Sequence, residues 1–157
     1  MNRDDACDYM ITKVCAGGES LSHLKLQKLM YYAQAWHLAF FKTRLFEGKF
    51  QAWVHGPVSG DLYDRFAPTK SLYSETTEQD VRADFDMSSV SEDDASYLDS
   101  ILEAYAGLAG TQLEEMTHHE EPWIEARGDR RPSERCEQEI DEALMARYYA
   151  TRLQEAG

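Results

Sequence analysis

Residues 25–41 read KLQKLMYYAQAWHLAFF. From Leu26 to Phe41 there is no acid, no Gly and no Pro, and Lys28 is the only base. Leu, Ala, Met, Gln and Lys favour the helix, so a helix is predicted over about residues 24–42. Leu26, Leu29, Met30, Ala33, His37 and Phe40 form one stripe at helical spacing. Tyr31, Tyr32, Trp36, Leu38 and Phe41 put apolar bulk on the other sides. A helix apolar nearly all round is buried, crosses a membrane or awaits a partner. The uncharged run from Leu29 to Phe41 is well short of the roughly 20 residues a bilayer requires, and it carries Gln34 and His37. It is therefore expected at the centre of a helical bundle.

The flanking sequence supplies the other helices. Ala6, Tyr9, Met10, Lys13 and Val14 give a first helix over about Asp5 to Cys15, stopped by Gly17-Gly18. Ser20 or Ser22 caps the central helix. Phe50, Ala52 and Val54 alternate with Gln51, Trp53 and His55, the period of a short strand. Pro57 ends it and opens a short helix through Leu62, Tyr63 and Phe66. Val81, Ala83 and Phe85 also alternate, so residues 80–86 fit a short strand or a loop. Ser91 with Asp94 caps a helix whose core face is Tyr97, Leu98, Ile101, Leu102 and Tyr105. Thr111–Glu114 and Thr117–Glu120 read as capping boxes, Pro122 as a helix first turn and Gly128 as a stop. A last helix is predicted over about 133–154, with Cys136, Ile140, Ala143, Leu144, Arg147, Tyr148 and Thr151 on one side. The expected fold is mainly α: one domain over 1–157, a helical bundle with at most small β elements near 50–55 and 80–86, and an acidic loop at 69–92.

The chain has 157 residues and 43% apolar residues, enough for a core without metal or disulfide staples. Cys7, Cys15 and Cys136 show no C-x-x-C spacing and suit helix faces. The acidic N-terminus has no apolar signal-peptide core, so a cytoplasmic location is expected. The net charge of −13 is uneven. Residues 20–70 hold seven Lys/Arg against three Asp/Glu, whereas residues 71–126 hold Arg82 against fifteen acids. Such a surface argues against binding nucleic acid and suits a basic protein partner.

Catalytic signals are sparse. The helical zinc motif H-E-x-x-H, the P-loop, the dinucleotide fingerprint and the G-x-S-x-G elbow are all missing. Adjacent histidines such as His118 and His119 point in different directions on a helix. A metal site assembled from His37, His118 and a carboxylate would make the chain a metal-dependent hydrolase. The simpler assignment is that both histidines are hydrogen-bonded inside the fold, with no metal, no cofactor and no catalytic residues.

Three blocks together resemble the SocA/GepA-like proteins, also called Panacea-domain antitoxins and often described as phage-associated. The first carries the pattern K-L-Q-K-L-x-Y-Y-A-Q-x-W-H as Lys25, Leu26, Gln27, Lys28, Leu29, Tyr31, Tyr32, Ala33, Gln34, Trp36 and His37. The second carries A-W-x-x-G-P-V as Ala52, Trp53, Gly56, Pro57 and Val58. The third carries T-H-x-E-x-P-W as Thr117, His118, Glu120, Pro122 and Trp123. The resemblance implies a non-enzymatic antitoxin of a toxin–antitoxin system, which neutralises a co-encoded protein toxin by direct binding. It also implies a second mode, an adaptor that delivers the bound toxin to a Clp-type protease. The motif residues are expected to form the shared scaffold. Toxin contacts are expected at Tyr31, Phe41 and Trp53 and on the acidic stretch through Glu75, Asp80, Asp84 and Asp99. Neither direct nucleic-acid binding nor membrane association is expected.

Overall fold

Helix α2 (His23–Phe41) is the axis on which the rest of the molecule is assembled. In the computed structural model, backbone is described for residues 1–156 and side chains for residues 1–153. Before α2 comes α1 (Arg3–Ala16). After it come a hairpin of β1 (Gln51–Trp53) and β2 (Gly56–Val58), then α3 (Gly60–Phe66), α4 (Glu92–Tyr105), α5 (Gly110–His118), α6 (Glu121–Arg127) and α7 (Glu142–Ala156). The chain is mainly helical, with one small antiparallel sheet pairing Gln51 with Val58 and Trp53 with Gly56.

Every residue of α2 from His23 to Ala35 is buried, because α1, α3, α4, α5, α7 and β2 pack around it. The Ser22 hydroxyl accepts the Lys25 N–H at the start of α2. Lys42 ends it in the left-handed region at φ 62°, with its N–H on Leu38 O. Burial of Leu26, Leu29, Met30, Tyr31 and Tyr32 against Met10, Ile11, Leu98, Leu113 and Tyr149 forms the core. Each such side chain contributes roughly 1.5–3 kcal/mol of transfer free energy. No described helix is long and apolar enough to cross a membrane.

Of the strand and the loop left open at residues 80–86, the loop forms, while other local expectations need correction. Single 3-10 turns at Glu78–Asp80 and Met87–Ser89 bracket the segment, and Phe85 N–H bonds Arg82 O, so its backbone–backbone bonds are local. The last helix starts at Glu142 rather than near 133. Residues 138–140 run beside β1 instead, with Ala52 N–H on Gln138 O and Ile140 N–H on Phe50 O. Asp141 then caps α7 by accepting the Ala143 N–H. The face α7 buries is accordingly that of Met145 and Tyr149, while Ala143, Arg147 and Thr151 are exposed. Both proposed capping boxes are displaced. Thr111 lies inside α5, whose Gln112 side chain accepts the Ala109 N–H. Thr117 bonds Glu114 O, and the Glu120 carboxylate turns into the core.

Candidate functional site

The three motif blocks meet at the hairpin. Its polar backbone faces the protein, and buried C=O groups require donors. Side chains supply them one after another. The Arg127 guanidinium donates to Ala52 O at 3.0 Å, Trp123 Nε1 to Trp53 O at 2.8 Å and His118 Nε2 to Val54 O at 3.0 Å. Lys28 Nζ donates to Pro57 O at 2.9 Å. Gln27 accepts the Ser59 N–H at 2.9 Å and returns a bond to Ser59 O at 3.3 Å. The imidazole of His118 stacks on Trp123, with ring centroids 4.2 Å apart. Gly56 sits at φ +92°, and a Cβ there would lie 2.7 Å from Lys28 Cε and 2.8 Å from Thr117 Oγ1. The glycine therefore answers both a backbone requirement and a steric one.

Burial sets the electrostatics of this clamp. The Lys28 ammonium is fully buried, which lowers its pKa from 10.5 to about 7 against the pull of Glu114. Burial lowers His23 to about 4, so its ring is neutral at pH 7. Burial likewise lowers His118.

A second polar cluster ties α7 to α2 and α6. Tyr32 and Tyr149 hydroxyls both donate to Glu120 Oε1 at 2.8 Å, and Tyr149 lies 3.2 Å from the Tyr31 hydroxyl. Burial raises the Glu120 pKa, and the two tyrosine bonds work against that rise. A third cluster holds the acidic segment to α1. Asp8, buried, accepts Arg65 at 2.5 Å and Arg82 Nε at 2.6 Å.

The residues assigned from sequence to partner contact separate into three kinds. Tyr31 is 1% exposed and belongs to the core between Phe50, Tyr32 and Tyr149, which corrects its placement on a contact surface. Its neighbours wrap α2 so fully that an aromatic excess there is packing. Phe41 is 57% exposed at the end of α2, Trp53 is half-buried beside Tyr63, and Glu75 and Asp84 are exposed. Asp80 is 3.4 Å from Lys70, and Asp99 accepts the Tyr9 hydroxyl at 2.6 Å, so both already serve the fold.

The two histidines of the hydrolase alternative are not brought together. His37 Nδ1 contacts Thr43 O at 2.6 Å at the end of α2, while His118 serves the hairpin. Among the described residues, no group of three or more His, Cys, Asp or Glu is arranged to hold a metal ion.

Residues 26–124 match the family model described as antitoxin SocA-like, Panacea domain. The chain belongs to this family. Neither the curated proteins nor the solved structures yielded a match. The matched span starts within α2 and ends in α6, so it contains the hairpin and most of its donors. In this Panacea-domain chain, sequence reasoning missed Asp8, Arg65, Arg82, Arg127 and Tyr149. Asp8 left one signal, a charge set among the apolar residues Ala6, Tyr9 and Met10. Phe40 was assigned to the central stripe, yet it is 50% exposed. The packing around α2 opens on one side of its last turn, where Leu38 and Ala39 are still buried.

Proposed function

We propose that this chain is the antitoxin of a toxin–antitoxin system and neutralises a co-encoded protein toxin by direct binding. The observation that carries this reading is the antitoxin family match over residues 26–124. Two features of the molecule support it. Lys28, Gln27, His118 and Trp123 satisfy the hairpin from within, so these polar groups hold the scaffold together. The acidic half then faces outward, and a basic toxin would be steered toward it. Of the contact set proposed from sequence, all but Tyr31 are exposed or half-exposed, and Phe41, Trp53 and Asp84 are the members left clear of the internal bonds made by Glu75, Asp80 and Asp99. The protein would act in the cytoplasm, where a co-encoded toxin is made.

The test is growth of a host carrying the adjacent open reading frame under an inducible promoter, with and without this chain. Arrest by the neighbour and recovery in the presence of this chain support the reading. A harmless neighbour, or a toxic one whose arrest persists, rejects it. Neutralisation by blocking also predicts that the toxin's half-life is unchanged in the rescued cells. A shortened half-life, lost when the Clp-type protease is deleted, would replace blocking by delivery for degradation.

A further inference from the structure

One side of the last turn of α2 is uncovered: Leu38 and Ala39 are buried, Phe40 and Phe41 are not, and the elements around them leave an aromatic slot. Helices α4 and α7 both pack on α2. Both run antiparallel to it: on α4, Tyr97 reaches Phe41 and Tyr105 reaches Trp36, and on α7, Glu142 reaches Arg44 and Tyr149 reaches Trp36. The final turn of α2 thus emerges between the N-terminal ends of α4 and α7. There Phe40 and Phe41 are 50% and 57% exposed. They continue without a break into Trp36, His37 and Tyr97, with centroid distances of 5.7 Å for Trp36–Phe40, 4.7 Å for His37–Phe41 and 6.0 Å for Phe41–Tyr97. Two exposed phenylalanines backed by a packed aromatic layer form a rigid apolar surface of the kind protein partners bury.

The charge at its two ends differs. At the α7 end, Glu142 is met by Arg44 at 2.7 Å and Lys49 at 2.6 Å, so its charge is compensated. At the α4 end stand Glu92, Asp93 and Asp94, one turn before Tyr97. Among the described residues, no Lys or Arg pairs with any of the three. All of α4 holds five acids and no base. Lys42, exposed beside Phe41, leaves an excess of acid.

We propose that Phe40, Phe41 and Tyr97, with the acidic first turn of α4, form the docking slot for the toxin. Its occupant is an amphipathic helix with an aliphatic face and a basic flank. The aliphatic face covers the two phenylalanines, and the basic flank meets Glu92 and Asp93. A second copy of this chain would bring acid against acid at the same edge, which disfavours self-association there. The inference rests on the antitoxin reading for the name of the partner, and not for the chemistry of the slot.

Two arms keep the two readings apart. In the first, the full chain is titrated with a synthetic amphipathic Leu/Lys helix, its Leu/Glu counterpart and a scrambled Leu/Lys peptide, and backbone amide shifts are followed by NMR. Shifts centred on residues 36–42 and 92–97 with the Leu/Lys helix alone are the expected result. Binding of the scramble with equal affinity, or shifts centred on Tyr73 or Ile124, would overturn the slot. In the second, Phe40→Ser/Phe41→Ser is compared with Tyr73→Ser/Ile124→Ser, which alters exposed apolar residues elsewhere. The first pair is expected to abolish growth rescue and to weaken the toxin complex by at least ~30-fold, while the second pair rescues as wild type does. Glu92→Gln/Asp93→Asn, which leaves the core untouched, is expected to slow association with the toxin about tenfold. Rescue by wild type and by both slot variants alike would refute the slot and leave the antitoxin reading intact. Absence of rescue by wild type would refute the antitoxin reading, and the peptide arm would then judge the slot by itself.

Discussion

Gly56 and Lys28 show how a buried polar contact dictates residue choice. The hairpin must turn at φ +92° while its carbonyl edge lies on a lysine. Gly56→Ala adds a methyl group against Lys28 Cε and Thr117 Oγ1 in a backbone region that L side chains avoid. We expect it to lose roughly 1–3 kcal/mol of stability or more, read as a lower urea midpoint. Lys28 makes a distinct prediction. Its folded pKa of about 7 is below the ordinary 10.5. Between these values the unfolded chain keeps a proton that the folded one has released, so stability rises with pH. Below pH 7 both states are protonated and the cost of burying the ammonium is present in full. The urea midpoint should therefore rise from pH 7 to pH 9 in the wild-type chain, and this rise should vanish in Lys28→Met. An identical slope in both proteins would show that the ammonium is not the source. His23 adds a slope of the same sign at lower pH, because its folded value of about 4 lies below the ordinary 6.5 and the unfolded chain takes up a proton first.

At the scale of elements, the second part of the acidic segment, residues 77–90, is held by few side chains. Residues 72–76 pair with residues 21–24 through Leu24 N–H on Leu72 O, His23 N–H on Ser74 O and Thr76 N–H on Leu21 O, but beyond them the backbone–backbone bonds are local turns, and the tie to α1 runs through Arg82 to Asp5 and Asp8. Arg82→Ala should loosen residues 77–90 while Arg65 still compensates Asp8. Amide exchange in that segment should speed up about tenfold, with α2 unchanged, since a partly exposed pair to a buried acid contributes on the order of 1–2 kcal/mol. Protection equal to wild type would mean that Val81 and Phe85, half-buried against the core, hold the segment without the arginine. Helix α7 shows the opposite case. Its start is set by the residues before it, which pair with β1 and leave Asp141 as the cap.

For the whole molecule, the charge distribution matters more than the total. The acids are concentrated after residue 71, and some of them, such as Asp80 with Lys70 and Asp99 with Lys13, are used up in internal pairs. Those left free on α4 create the field that a partner meets. Association with a basic toxin should slow about tenfold when salt is raised from 0.05 M to 0.5 M, and dissociation should change much less. A rate indifferent to salt would remove charge steering from the account and leave the aromatic contact alone.

Much of this was legible in the residues themselves. The composition of 25–41 demanded a helix surrounded on all sides, the period of two at 50–54 marked β1, and Ser22, Ser91 and Pro122 marked helix starts that the structure keeps. These follow from short-range rules: periodicity, capping and the fixed φ of proline. The start of α7, the turns at 80–86 and the burial of Tyr31 followed no such rule. Each depends on a partner far along the chain, whether Phe50 for Ile140, Asp8 for Arg82 or Tyr149 for Tyr31. The motif residues could be recognised in sequence, but not that their donors converge on one hairpin. Nor could sequence separate Phe40 from Leu29 on the same stripe. Both have helical spacing and apolar bulk, and only the places where α4 and α7 begin decide which is covered and which meets a partner.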